Sequence, residues 1–154
     1  MTLQQMESVR VKRAGEIFLG AARHVPADKA HWKPYPNATS AHEIVQHLAW
    51  ANDFFAAIIQ GQTPPPSADK DSQVPFEQVL QQFQQSYESL AQAIAAVPDA
   101  QLQEKRQMPW GQVWKVQSLM MGGSLHIAYH WGQIGYLQLA WGDTTDYHLL
   151  PEPK

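Results

Sequence analysis

The sequence predicts an all-α four-helix bundle, on three observations. Four stretches, each of about twenty residues, repeat apolar side chains at spacings of three and four, the period of a helix with one buried face. Segments holding Pro26, Pro34 and Pro36, then Gly61 and Pro64 to Pro66, then Pro98 and Pro109, separate those stretches. The chain has 154 residues, enough for one domain spanning 1–154 with a sizeable core.

The first helix is expected from Leu3 to about Arg23. Leu3, Met6, Val9, Arg10, Arg13, Ile17, Phe18 and Ala21 mark its stripe, and Pro26 follows its end. Ala27 to Thr39 reads as an ordered loop with Trp32 and Tyr35 tucked against the bundle. Ser40 and Glu43 form a capping box, in which each side chain satisfies the other residue's backbone amide. The second helix runs from there to about Gln60, with Ile44, Leu48, Ala51, Phe55 and Ile58 inward. His47 falls at the edge of that stripe, His42 and Asp53 nearly opposite it, and Gly61 is the stop. Gln62 to Val74 is a proline-rich polar connection expected to be mobile.

Pro75 suits the first turn of a third helix, because a proline there forfeits no intrahelical bond. Phe76, Val79, Leu80, Phe83, Tyr87, Leu90, Ala91 and Ile94 then repeat without a miss, and Gln78, Gln81, Gln82 and Gln85 form a solvated outer face. Between Asp99 and Val116 the period breaks around Pro109, giving a short extended piece or a loop. The fourth helix is expected from between Lys115 and Ser118 to about Trp141, with Gly142 as its stop. The tail after it reads as packed but irregular.

Composition excludes several functions. Apolar residues make up 44% of the chain and the net charge is −3, with no basic block to hold nucleic acid. There is no cysteine, so any metal must sit on His, Asp, Glu or water. No apolar run is long enough to span a bilayer, and no leader pattern opens the chain, so a cytoplasmic location is expected.

The chemistry concentrates in the fourth helix. His126 and His130 lie four apart, so their Cβ atoms share one face at about 6 Å. Gln133 and Leu137 continue that face. A buried imidazole pair needs partners for its polar nitrogens. One divalent ion satisfies a nitrogen of each ring, and a water network is the alternative. The residue after His126 is Ile127, where a zinc protease helix carries its general-base Glu, so protease chemistry is disfavoured. Gly122, Gly123, Gly132 and Gly135 each weaken the helix by about 1 kcal/mol relative to Ala. They imply close helix packing or room for a ligand. His24, His31 and His148 read as surface residues. Trp50, Trp110, Trp114 and Tyr129 would wall a pocket above a metal, or else serve in the core or a dimer contact.

Two segments carry a resemblance. Trp32-Lys33-Pro34 ahead of the Ser-started helix, followed by Glu43-Ile44-Val45-Gln46-His47-Leu48-Ala49, resembles the DinB/YfiT-like superfamily. His126-Ile127-Ala128-Tyr129-His130-Trp131-Gly132-Gln133-Ile134 resembles its second motif. The resemblance implies an up-down-down-up bundle and a homodimer. It also implies a divalent metal, Zn or Ni, on His47, His126 and His130. It implies a metal-dependent transferase using a low-molecular-weight thiol, acting on an electrophile in detoxification or stress response. The alternative is a non-catalytic dimeric bundle that binds metal or a small ligand. Trp131 departs from the pattern, standing where the family commonly has Arg.

Overall fold

The computed structural model describes residues 1–67 and 74–147. Four helices make the bundle: α1 (Leu3–Ala22), α2 (Ala41–Ile59), α3 (Phe76–Ala95) and α4 (Val116–Ala140). Capping boxes open α1 at Thr2 and Gln5 and α2 at Ser40 and Glu43. Gly61 and Gly142 follow α2 and α4 at φ of 71° and 94°, a left-handed conformation that costs glycine nothing.

Side-chain pairs define the direction of each helix. Gln4, at the start of α1, donates to the Val97 carbonyl and to Asp99 beyond the end of α3, at 3.0 and 2.6 Å. Phe18, near the end of α1, packs on Phe83 with ring centroids 4.8 Å apart. α1 and α3 are therefore antiparallel. Gln138 donates to the Ala21 carbonyl at 3.2 Å, bringing the ends of α4 and α1 together. His42 meets Phe76 and Asn52 meets Ser86, so α2 and α3 run the same way. The course is up-down-down-up. α2 and α4 thus run antiparallel and in contact, which places the middle of α4 against the first half of α2.

Between α3 and α4 a single 3-10 turn (Asp99–Gln101) leads into a small antiparallel hairpin, β1 (Lys105–Gln107) and β2 (Val113–Lys115). Arg106 pairs with Trp114 in its register. The irregular segment predicted here is thus extended and folded back, with Met108 buried and Trp110 out at the turn.

The core follows the predicted stripes of α2 and α3 closely, but α1 is rotated from its prediction. Val9 is 58% exposed, whereas Gln4, Glu7, Ser8, Val11 and Gly15 face inward. Hydropathy alone cannot find that face, because its polar members are buried with partners. Glu7 holds Arg10 at 2.7 Å, and Gln4 is bonded as above. A Cβ at Gly15 would stand 2.5 Å from the Tyr87 ring, so the glycine admits α3. Two other expectations also reverse. Tyr35 is 62% exposed, while Trp32 packs against the core as predicted. His42 is buried, because the loop after α1 folds over the start of α2. Its backbone amide donates to the Ala30 carbonyl, its ring stacks on His31, and its Nε2 sits 2.7 Å from the Val74 oxygen. The predicted mobility of the connection before α3 falls largely on residues 68–73, outside the described residues, as does His148. Among the described residues no helix is long and apolar enough to cross a membrane.

Candidate metal centre

The contact between α2 and α4 brings His47, His126 and His130 together. The Nε2 atoms of His47 and His126 lie 3.2 Å apart, and those of His130 and His126 lie 3.1 Å apart. The His47 and His130 ring centroids are separated by 5.0 Å. One ligand atom from each residue falls within 4.8 Å of the other two, and this is the one such His, Asp or Glu cluster among the described residues. All three predicted ligands therefore converge, and the sequence separation of 79 residues between His47 and His126 is closed by helix packing.

The tautomer of His130 suits a cation. Gln133, one turn on from His130, places its Oε1 2.6 Å from His130 Nδ1. An amide oxygen only accepts, so the ring proton sits on Nδ1 and the Nε2 lone pair faces the cluster. Gln133 Nε2 in turn donates to the Tyr129 hydroxyl at 3.3 Å, and the Tyr129 ring stands edge-on to His130 at 5.0 Å. Nδ1 of His126 is buried without a hydrogen-bond partner. Burial lowers the pKa of His126 to about 4, with further depression from His130 and then His47 nearby. Burial also lowers His130, against a raising contribution from the Gln133 bond. Both rings are thus neutral at pH 7, the form that ligates.

Could protons alone hold such a cluster? With the His130 proton on Nδ1, the two short Nε2 contacts of His126 cannot both be hydrogen bonds: an N–H on His126 Nε2 points at one neighbour and leaves no lone pair for the other, whereas a bare His126 Nε2 meets the bare Nε2 of His130. A single cation at the convergence satisfies all three. Three imidazoles without thiolate or carboxylate fit a borderline first-row divalent ion.

Two cavities flank the histidines. One, of about 430 Å³, lies against residues 33–39 and α2 and is lined by Lys33, Asn37, Thr39, Gln46, His47 and His130 among others. At its rim Lys33 pairs with Glu43 at 2.8 Å. Burial raises the Glu43 pKa, but bonds from Lys33 and Ser40 outweigh it and hold the carboxyl below its usual range. The second, about 740 Å³, is an open groove that reaches His47 and His126 between α2, α4 and the hairpin. Three of the predicted wall residues, Trp50, Trp110 and Trp114, line it. Phe54 joins them, unforeseen in the sequence because its helical position lies off the main stripe.

The glycines of α4 divide. A Cβ on Gly123 would meet Leu90 at 2.7 Å and one on Gly122 would meet Phe55 at 3.3 Å, so these two serve packing. Gly132 and Gly135 have nothing within 4 Å of such an atom. They line a third cavity with Trp131, away from the three histidines. Trp131 packs against the core and brings no charge to that cavity. His24 stacks on Tyr147 at 4.1 Å and His31 on His42, and neither belongs to the cluster.

An up-down-down-up bundle in which two antiparallel helices bring three imidazoles to one point can hold a metal ion. The family agrees with that class: the model of the DinB superfamily matches residues 10–134, and the chain belongs to that superfamily. No curated protein matches the chain.

Proposed function

We propose that this protein holds a divalent ion, Zn²⁺ or Ni²⁺, on His47, His126 and His130, and uses it to transfer a low-molecular-weight thiol to an electrophile. The observation that carries this reading is the convergence of three Nε2 atoms whose tautomer is set, at His130, by Gln133. A bound divalent ion supplies positive charge that keeps a thiol deprotonated near pH 7. The chain's own residues do the rest. Gln133 keeps the His130 proton on Nδ1. The polar cavity beside His47 and His130 receives the hydrophilic body of the thiol, with Lys33, Asn37 and Gln46 able to bond to its carboxylate or amide groups.

A second reading, a bundle that binds metal or a small ligand without turnover, is favoured by one observation. No carboxylate joins the three histidines among the described residues, so the cluster itself holds no acid or base besides its imidazoles. Under either reading we place a homodimer contact on the outer face of α4. Tyr129, Tyr136 and Leu139 are each at least 60% exposed there. A helix apolar on every side belongs between two neighbours.

Metal analysis of protein purified without a histidine tag tests the site. One equivalent is expected after incubation with Zn²⁺ or Ni²⁺, and less than about a tenth would remove the proposal, since open three-His sites normally bind. Thiol consumption with a panel of cellular thiols and electrophiles then divides the two readings. Turnover lost in His130→Ala, with helicity retained, supports the transferase. Absence of turnover across the panel supports the binder.

A further inference from the structure

We infer that the groove opposite the polar cavity binds a flat apolar ring, so that the electrophile handled at this site is an aryl compound or one carrying a fused-ring group. The inference rests on the transferase reading for its chemistry, but the groove itself is built independently of any metal.

Its walls are tryptophans with their only polar atoms already engaged. Gln112 Oε1 accepts from both Trp110 Nε1 and Trp114 Nε1, each at 3.2 Å. Trp50 Nε1 donates to the Pro65 carbonyl at 3.3 Å. One glutamine thus ties two indoles of the hairpin into a fixed pair, and all three rings present hydrocarbon rather than donors to the groove. Trp110 lies nearly parallel to Phe54, at 16° between planes and 5.8 Å between centroids, although Trp110 is 57% exposed. An exposed indole held parallel to a second aromatic ring is a stacking platform, suited to planar ligands through offset stacking.

The groove's size and its polar exceptions complete the case. About 740 Å³ lies within the range of small-molecule sites. Its polar side chains are Ser118, His47 and His126, two of them candidate metal ligands. A ligand in the groove is therefore stacked on carbon and meets nitrogen only where the thiol would be held. The other cavity shares His47 and Trp50 with the groove but carries Lys33 and Glu43. The two substrates are thus sorted by polarity on either side of His47. In the transfer, a sulfur lone pair forms the new carbon–sulfur bond. The leaving group departs with the electron pair of the bond it breaks, and the thiol proton passes to solvent. No oxidant or reductant is needed.

The test uses the full chain and 1-naphthol as probe, with cyclohexanol as a non-planar control. Binding is read from the indole N–H signals in nuclear magnetic resonance spectra, with and without Zn²⁺. The expected result is saturable binding of naphthol that shifts the Trp110 and Trp114 signals, weakened about tenfold in Trp110→Ala. Gln112→Met, which frees both indoles, should weaken it several-fold, and Val113→Ala on the same hairpin should leave it unchanged. Cyclohexanol should bind at least about fivefold more weakly, having no π face to stack. Equal affinity for the two probes, or naphthol binding unchanged in Trp110→Ala, overturns the inference. So does competition between naphthol and dimer formation in sedimentation, which would make the groove a contact between copies. Naphthol binding that persists in protein unable to bind Zn²⁺ keeps the aryl site and removes only the metal-based reading. With an active thiol identified, 1-chloro-2,4-dinitrobenzene should be preferred over iodoacetamide, and the preference should shrink about tenfold in Trp110→Ala. A preference unchanged in that variant overturns the assignment of the electrophile.

Discussion

Helices α3 and α4 occupy opposite corners of the same bundle and are built on opposite plans. α3 is apolar on one side and glutamine-rich on the other, and its buried residues (Val79, Phe83, Tyr87, Leu90, Ile94) form one stripe. It contains no glycine and no histidine. α4 is apolar on every side, contains four glycines, and carries two of the three clustered imidazoles. The difference separates stability from chemistry. α3 follows every rule for burying one face, so nothing in it calls for an explanation beyond packing. α4 breaks several of those rules, and each break coincides with a close contact, a cavity or a polar cluster.

That comparison can be broken first at Phe83. Phe83→Ala should cost about 3–5 kcal/mol, the usual range for emptying a buried aromatic site. Zn²⁺ or Ni²⁺ bound per folded molecule should stay the same, as denaturant unfolding and metal titration would show. Loss of metal binding in the still-folded variant would mean that α3 also shapes the site.

A pH series on metal-free protein probes the histidines of α4. His126 has a folded pKa of about 4, below the ordinary value of 6.5. The folded state therefore takes up its proton later than the unfolded chain does. The stability contributed by the neutral ring is fully present above pH 6.5 and is lost as pH falls toward 4. Replacing both His126 and His130 with Gln should flatten that part of the stability profile. Bound metal should be released only as pH falls toward about 4 and below, where protons compete for His126 in the folded protein.

Gln133→Leu removes the acceptor that orients His130 while keeping the side chain's bulk. Metal affinity should fall about 10–100-fold, the usual loss when a group that holds a ligand is removed. Thermal stability of the metal-free protein should change little by comparison, so an equal loss in both would reduce Gln133 to a packing residue.

The glycines give the smallest and most local contrast. Gly123→Ala should destabilise by about 1–3 kcal/mol, because its methyl would force Leu90 to move. Gly132→Ala meets open space and should stabilise α4 by up to about 1 kcal/mol. Equal effects at the two sites would erase the division of α4 into a packed half and an open half.

Much of this organisation is legible in the sequence wherever the signal is local. A capping box spans four residues, and the limits of α2 and α3 follow from Ser40, Gly61, Pro75 and Pro98 within a residue or two. The pair His126 and His130 is visible from helix geometry alone. His47 stands out through resemblance to a family rather than from its own neighbours. Gln133 sat in plain view at helical spacing, but its function depends on which way the His130 ring turns. The α1 face is not legible in the sequence, because buried Gln4 and Glu7 look like solvent residues until their partners, one of them beyond the end of α3, are known.

By itself the sequence determined where the helices begin and end, that they bundle, and that two imidazoles share a face of the last one. Those properties depend on backbone bonds and side chains within a turn or two of each other. Only the tertiary structure decided the rotation of α1, the burial of His42, the approach of His47 to its two counterparts, and the folding of two tryptophans over the site by a hairpin. Each of these joins segments far apart in the chain, so its outcome is set by how whole helix surfaces fit together.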